Sequence, residues 1–160
     1  MKNSFLVILT LIGIQQINAQ FTRRDSLQGG LRIERTSYDV KRYDLNITIN
    51  PEQKSIKGFN EITFDVVIPT QKIQIDLFEN MKVDSIVWNT KKLNYKRDND
   101  AVFIDFPEKL ASRSNHKLKF YYSGNPRIAK NAPWDGGFVF SKDKAGKDFI
   151  AVAVQGTGAS

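Results

Sequence analysis

The sequence predicts an all-β fold, an antiparallel β-sandwich or barrel, and three observations carry that expectation. From Tyr38 onward, apolar and polar residues alternate with the two-residue period of half-buried strands. Turn signals, chiefly Pro, Gly, Asn and Asp, separate these runs at short intervals. No segment recurs at a fixed spacing, which excludes a propeller or a solenoid.

Met1 to Ala19 is expected to be a signal peptide. Lys2 supplies the positive start, Phe5 to Ile14 an apolar run too short to span a bilayer, and Ala19 a small residue at the cut. The mature chain is therefore expected to be exported, periplasmic or secreted, with no membrane span. Gln20 to Ser37 is polar, carries Gly29-Gly30 and shows no period. It is expected to be a leader arm that lies on the surface or lacks order.

The domain proper is expected to run from 38 to 160. Tyr43, Leu45, Ile47 and Ile49 face one way, and Asp44, Asn46, Thr48 and Asn50 the other. Pro51 ends this strand in the turn from Asn50 to Lys54. The return strand places Ile56, Gly58, Asn60, Ile62, Phe64 and Val66 on one parity. Asn60 interrupts that apolar set, which predicts a bulge or a hydrogen-bond partner. Ile73, Ile75 and Leu77 alternate with Gln74 and Asp76; Val83 to Trp88 and Leu93 to Tyr95 follow. Arg97 to Asp100 forms a polar turn before Val102, Ile104 and Phe106. Pro107 is expected to stop that strand, and Glu108 to Ser114 to make a short helical turn. Leu118, Phe120 and Tyr122 form the next strand, which Ser123-Gly-Asn-Pro126 ends.

The last forty residues differ in kind. Ala129 to Gly137 is a loop with Pro133, Trp134 and Gly136-Gly137. Phe138 to Phe140 is a strand, and Asp143 to Asp148 a hairpin turn. Phe149 to Val154 is continuously apolar, which predicts a strand buried on both faces. The small-residue turn Gln155-Gly-Thr-Gly-Ala-Ser160 follows. A sandwich that stops there is expected to be incomplete at its C-terminal end, the first piece of something longer.

Composition narrows the chemistry. The chain has no cysteine and one histidine, His116. Thiolate metal sites, disulfides, a cysteine nucleophile and a two-histidine zinc site cannot be built from these residues alone. The formal charge is +7, but the lysines are scattered and interleaved with acids, so no nucleic-acid partner is expected. His116, beside a strand start, is expected at the surface. Asp98, Asp100 and Glu108 lack the spacing of a calcium loop. Phe78-Glu-Asn-Met81 reads as a connection. Asn46-Ile-Thr48 matches a glycosylation acceptor, although it lies within a strand.

Two places stand out as candidate binding residues. Gln155 ends an apolar strand, so it is either a glutamine in a turn or a polar group facing a cleft. Gly156 beside it permits close approach of a ligand or another chain. Trp134-Asp-Gly-Gly137 either packs against a neighbouring domain or plugs the end of the sandwich.

The order of these features resembles the N-terminal domain of the aminopeptidase N and leukotriene hydrolase family of zinc metallopeptidases, in its secreted bacterial branch. The residues that carry it are Tyr38-Asp-Val-Lys-Arg-Tyr-Asp-Leu45, Ile56-Lys-Gly-Phe-Asn-Glu-Ile-Thr-Phe64 and Asp76-Leu-Phe-Glu-Asn-Met-Lys82. Tyr121-Tyr-Ser-Gly-Asn-Pro126, Pro133-Trp-Asp-Gly-Gly-Phe-Val-Phe140 and Val154-Gln-Gly-Thr-Gly-Ala-Ser160 complete the set, and the last two are the most specific. The resemblance implies a twisted, saddle-like β-sandwich that packs on a thermolysin-like domain. That second domain holds zinc through His-Glu-x-x-His and a distant glutamate, and cleaves N-terminal residues from peptides. It also implies that Gln155 accepts a hydrogen bond from the substrate's free amino group. Neither His-Glu-x-x-His nor Gly-x-Met-Glu-Asn occurs here. The chain alone is expected to bind no catalytic zinc and to cleave nothing. The alternative is a stand-alone secreted β-sandwich that binds partners without enzymatic activity.

Overall fold

The computed structural model describes residues 21–154, and over most of that length alternation has become strand. Two short helices come first, α1 (Arg23–Gly29) and α2 (Ile33–Thr36). Strands β1 (Tyr38–Asn50), β2 (Ser55–Val66), β3 (Thr70–Asp76), β4 (Met81–Trp88) and β5 (Lys91–Lys92) follow. Then come β6 (Asn94–Asp98), β7 (Ala101–Leu110), β8 (Asn115–Gly124), β9 (Gly137–Lys142) and β10 (Asp148–Ala153). They form a five-stranded sheet of order β1-β2-β8-β4-β5, a three-stranded sheet β3-β7-β6 and the hairpin β9–β10. Every pairing within the sheets is antiparallel. The sheets are not closed, which selects a sandwich over a barrel.

The core lies between the two larger sheets. Ile62, Phe64 and Val66 of β2, Leu118 and Phe120 of β8, and Ile86 and Trp88 of β4 form one wall. Ile73 of β3 and Val102, Ile104 and Phe106 of β7 form the other. Phe64 is fully buried, and Tyr38 packs edge-on against it with ring centroids 5.6 Å apart. The Tyr38 hydroxyl donates to the Gln74 carbonyl at 2.6 Å and so ties β1 to β3 across the sandwich. Burial pushes its pKa up to about 12. Gly58 permits the close approach of β1 and β2: its φ is +157°, and a Cβ there would stand 2.0 Å from the Asn46 carbonyl oxygen.

Several sequence expectations need correction. Pro107 does not stop its strand, and Glu108 to Leu110 is strand, not helix. The register slips between the pairs Lys72–Asp105 and Thr70–Leu110, and Pro107 falls inside that slip, where no ladder partner needs its missing N–H. No bulge occurs at Asn60, which stays in register with Leu45 and Phe120. Its buried Oδ1 has no hydrogen-bond partner either. The bulge of that hairpin sits between Val40 and Arg42. Tyr43, Leu45 and Ile47 do share the core-side face, but they are exposed, because the three-stranded sheet does not reach over them.

Residues 21–37 lie on the outer face of the three-stranded sheet as the two helices. Thr22 caps α1 in a reciprocal box: its hydroxyl accepts from the Asp25 N–H at 3.2 Å, and the Asp25 carboxylate accepts from the Thr22 N–H at 2.8 Å. Leu27 is buried beneath. This cover explains why Gln74, on the outward parity of β3, is only 2% exposed. Its side-chain amide donates to the Leu27 carbonyl at 3.0 Å and to Asp76 at 2.7 Å.

Candidate functional site

The C-terminal end of the described chain gathers the residues singled out in the sequence, and its geometry starts from the hairpin turn. The Asp143 carboxylate accepts from the N–H groups of Ala145 and Lys147, both at 2.8 Å, and Gly146 supplies the positive φ of 78° that the turn needs. The turn sets a regular β9–β10 ladder from Asp148–Lys142 to Ala153–Gly137. Phe138 and Phe140 stack on one face of it, with centroids 5.8 Å apart.

The loop before β9 is equally ordered. Phe138 donates to the Arg127 carbonyl at 2.7 Å and accepts from the Ala129 N–H at 3.0 Å. Gly137 (φ +142°) makes that approach possible, since a Cβ there would lie 2.7 Å from the Arg127 carbonyl oxygen. Asp135 pins the loop by accepting from the N–H groups of Lys130 and Asn131, at 2.6 and 2.7 Å. Desolvation works against its carboxylate, yet these N–H groups together hold its pKa below the usual range. The Ala132–Pro133 peptide is cis. Trp134 stands on this loop 75% exposed, so it does not plug the end of the sandwich.

Beneath the hairpin is an apolar cavity of about 170 Å³, with Leu77, Phe78, Met81, Tyr122, Phe138 and Val152 in its walls. The connection from Phe78 to Met81 therefore contributes to this cavity. β10 contradicts the expectation of a strand buried on both faces. Phe149 is 55% exposed, Val152 54% and Val154 65%. The reason is topological: β10 pairs with β9 alone, and no described layer covers the hairpin. Gln155 and Gly156 lie outside the described residues, immediately beyond this exposed strand.

The other candidates fall elsewhere. His116 is not a free surface residue: its ring packs 5.7 Å from both Phe64 and Trp88, and its Nε2 lies 2.8 Å from the Ser114 hydroxyl. Desolvation lowers its pKa, against the pull of Glu108. Asp100 is buried and accepts from the Glu79 N–H at 2.7 Å and from Gln28 at 3.0 Å. Asp98 pairs with Arg23, whose hydrogen bond holds its carboxyl below the usual range. These contacts with the leader arm were not legible as a site. The capping pattern Thr22-x-x-Asp25 was the one signal of the arm's order. Asn46 is exposed on edge strand β1. A larger, more polar cavity of about 410 Å³ lies between the edges of β1 and β3, lined by Arg35, Tyr43, Asn60 and Asp76 among others. Arg35 and Asp76 neutralise one another there.

Among the described residues, no group of three or more His, Cys, Asp or Glu could hold a metal ion. The described residues thus do not fit a zinc ion. No described helix is long and apolar enough to cross a membrane.

The comparisons agree with this geometry. The family model for the Peptidase M1 N-terminal domain matches residues 39–155. An M1 zinc metallopeptidase from Deinococcus radiodurans is 21% identical, with a TM-score of 0.55, over 69% of this chain and 27% of that one. The E323A mutant of an M1 zinc metallopeptidase from the same organism, bound to a Tyr-Ser-Ala substrate, is 21% identical with a TM-score of 0.54, over 70% of this chain and 28% of that one. Yeast LTA4 hydrolase in complex with bestatin is 13% identical, with a TM-score of 0.55, over 77% and 20%. At these identities the solved structures support the fold alone. The chain spans about a quarter of the length of the Deinococcus enzymes. No curated protein matches it.

Proposed function

The chain belongs to the Peptidase M1 N-terminal domain family, and from that premise we propose that it is the substrate-side domain of an exported zinc aminopeptidase. The observation that carries this reading is the family match itself, which runs through the hairpin and reaches Gln155. The exposed apolar residues Trp134, Phe149, Val152 and Val154 support it. They lie on the loop before β9 and on both faces of β10, with Val152 toward the cavity and Phe149 on the opposite face, and so leave apolar surface that a further domain could cover. A peptidase domain outside this chain would supply the zinc and the general base. The 160 residues alone are inactive in this reading.

Gln155 is assigned the one direct role. Its side-chain carbonyl accepts a hydrogen bond from the substrate's N-terminal ammonium and thereby measures the peptide from its free end. Gly156 leaves room for that approach. Lys2, the apolar run from Phe5 and Ala19 direct the protein out of the cytoplasm.

The test uses the complete enzyme. Gln155→Ala should lower kcat/KM for peptides with a free N-terminus by about 10- to 100-fold, the worth of one hydrogen bond to a charged group. Bound zinc should stay unchanged. An unaltered kcat/KM removes Gln155 from the site.

A further inference from the structure

We propose that residues 21–37 form a strap, held on the sandwich mainly by charge, that opens as a unit while the sandwich stays folded. The strap lies before the segment that matches the family, so the shared domain does not account for it. Three arginines on the strap meet four acids on the domain. Arg23 pairs with Asp98, and Arg35 with Asp76. Arg24 lies 3.0 Å from Asp100 and 2.9 Å from Glu79. Arg32 lies over the Phe103 ring, 5.4 Å from its centroid, and its guanidinium reaches the Gln74 side-chain oxygen at 3.3 Å.

Apolar attachment is slight by comparison. Leu27 is the one buried hydrophobic residue of the strap, whereas Phe21 is 88% exposed, Leu31 87% and Ile33 50%. Ordering a segment of this length costs backbone and side-chain entropy that one leucine does not offset. Two neutral attachments help, the Gln74 amide on the Leu27 carbonyl and the Val67 and Ile68 N–H groups on the carbonyl of buried Ser37 at the strap's end; the ion pairs supply most of the rest, and most of them stand partly in water. Partly exposed ion pairs weaken as salt screens them, whereas a buried apolar core does not. The two helices, of seven and four residues, are too short to persist once detached. The sandwich core, by contrast, takes no side chain from the strap. Opening therefore removes the strap's order and bares Gln74, Asp76, Asp98 and Asp100, while the core is untouched.

Hydrogen exchange read by mass spectrometry on the whole folded chain tests this. Peptides covering 21–37 are followed beside a peptide of β2 around Phe64, at 50 mM and 1 M sodium chloride. The strap amides should exchange at least 10-fold faster at high salt, with the β2 peptide unchanged as the internal reference. Arg24→Glu should release the strap at low salt, again with β2 protected. Strap and β2 amides that exchange together, or a strap indifferent to both salt and Arg24→Glu, would overturn the proposal. If Arg24→Glu unfolds the chain, loss of β2 protection reveals it, and the salt comparison on the unaltered chain decides.

Discussion

Strands β1 and β2 are the two arms of one hairpin, carry the same apolar alternation and meet different surroundings. On β2, Ile62, Phe64 and Val66 are all within 3% of complete burial. On β1, Tyr43, Leu45 and Ile47 point to the same side of the sheet and are 59, 65 and 37% exposed. The difference comes from what lies opposite. β3 and β7 cover the part of the sheet that holds Tyr38, Val40 and Phe64, and stop short of the outer half of β1. Alternation thus specifies a strand and its apolar face. It says nothing of whether another layer reaches that face. β10 repeats the lesson: an unbroken apolar run stands half-exposed because its hairpin has no described layer over it.

Substitutions on the two strands test this contrast. Phe64→Ala should have the largest effect, a loss of about 3–5 kcal/mol in denaturant unfolding, because it empties the centre of the core. A cost below about 1 kcal/mol would mean that the core is not where the buried face of β2 places it. Tyr38→Phe should cost about 0.5–1.5 kcal/mol by deleting the hydroxyl that ties β1 to Gln74 across the sandwich. The same hydroxyl gives an alkaline signature. Its folded pKa, raised to about 12, contributes stability that is complete below the unfolded value near 10 and is lost as pH rises toward 12. Tyr38→Phe should remove that component of the alkaline loss.

His116 should produce a smaller, acidic counterpart. Its folded pKa is depressed by desolvation below the ordinary histidine value of 6.5, so the unfolded chain takes up its proton first. Its contribution is complete above that value and declines as pH falls through it toward the folded pKa. His116→Gln should flatten that part of the stability profile; an unchanged profile would show that the ring beside Phe64 and Trp88 is not desolvated. Leu45→Thr should have the smallest effect, within about 0.5 kcal/mol, since the side chain is already in water. A cost near that of Phe64→Ala would show that something covers β1 in solution.

Much of the fold was legible because period-two patterning survives any tertiary context. Tyr38 to Val66, Val102 to Phe106 and Leu118 to Tyr122 needed no more than that. Pro107 misled because a proline tolerated at a register slip looks in sequence like one that ends a strand. The strap was illegible for a different reason. Its order comes from pairings such as Arg24 with Asp100, far apart in sequence and made by residue types that usually face solvent. Asp98 and Asp100 accordingly read as ordinary turn acids. At the candidate site, the loop and hairpin were visible as Trp134-Asp-Gly-Gly137 and Phe149 to Val154, but not their exposure. Gln155 rests on motif and family, since the described residues stop one short of it.

Purifying the product of the complete reading frame from the extracytoplasmic fraction would decide whether this domain serves a zinc aminopeptidase. Its zinc content and its release of N-terminal residues from a free peptide and from the N-acetylated form are then measured. The expected result is one zinc per chain, cleavage of the free peptide alone, and neither zinc nor cleavage for the isolated 160 residues. A folded, exported product that carries no zinc and releases no amino acid would contradict it and leave a binding module in its place.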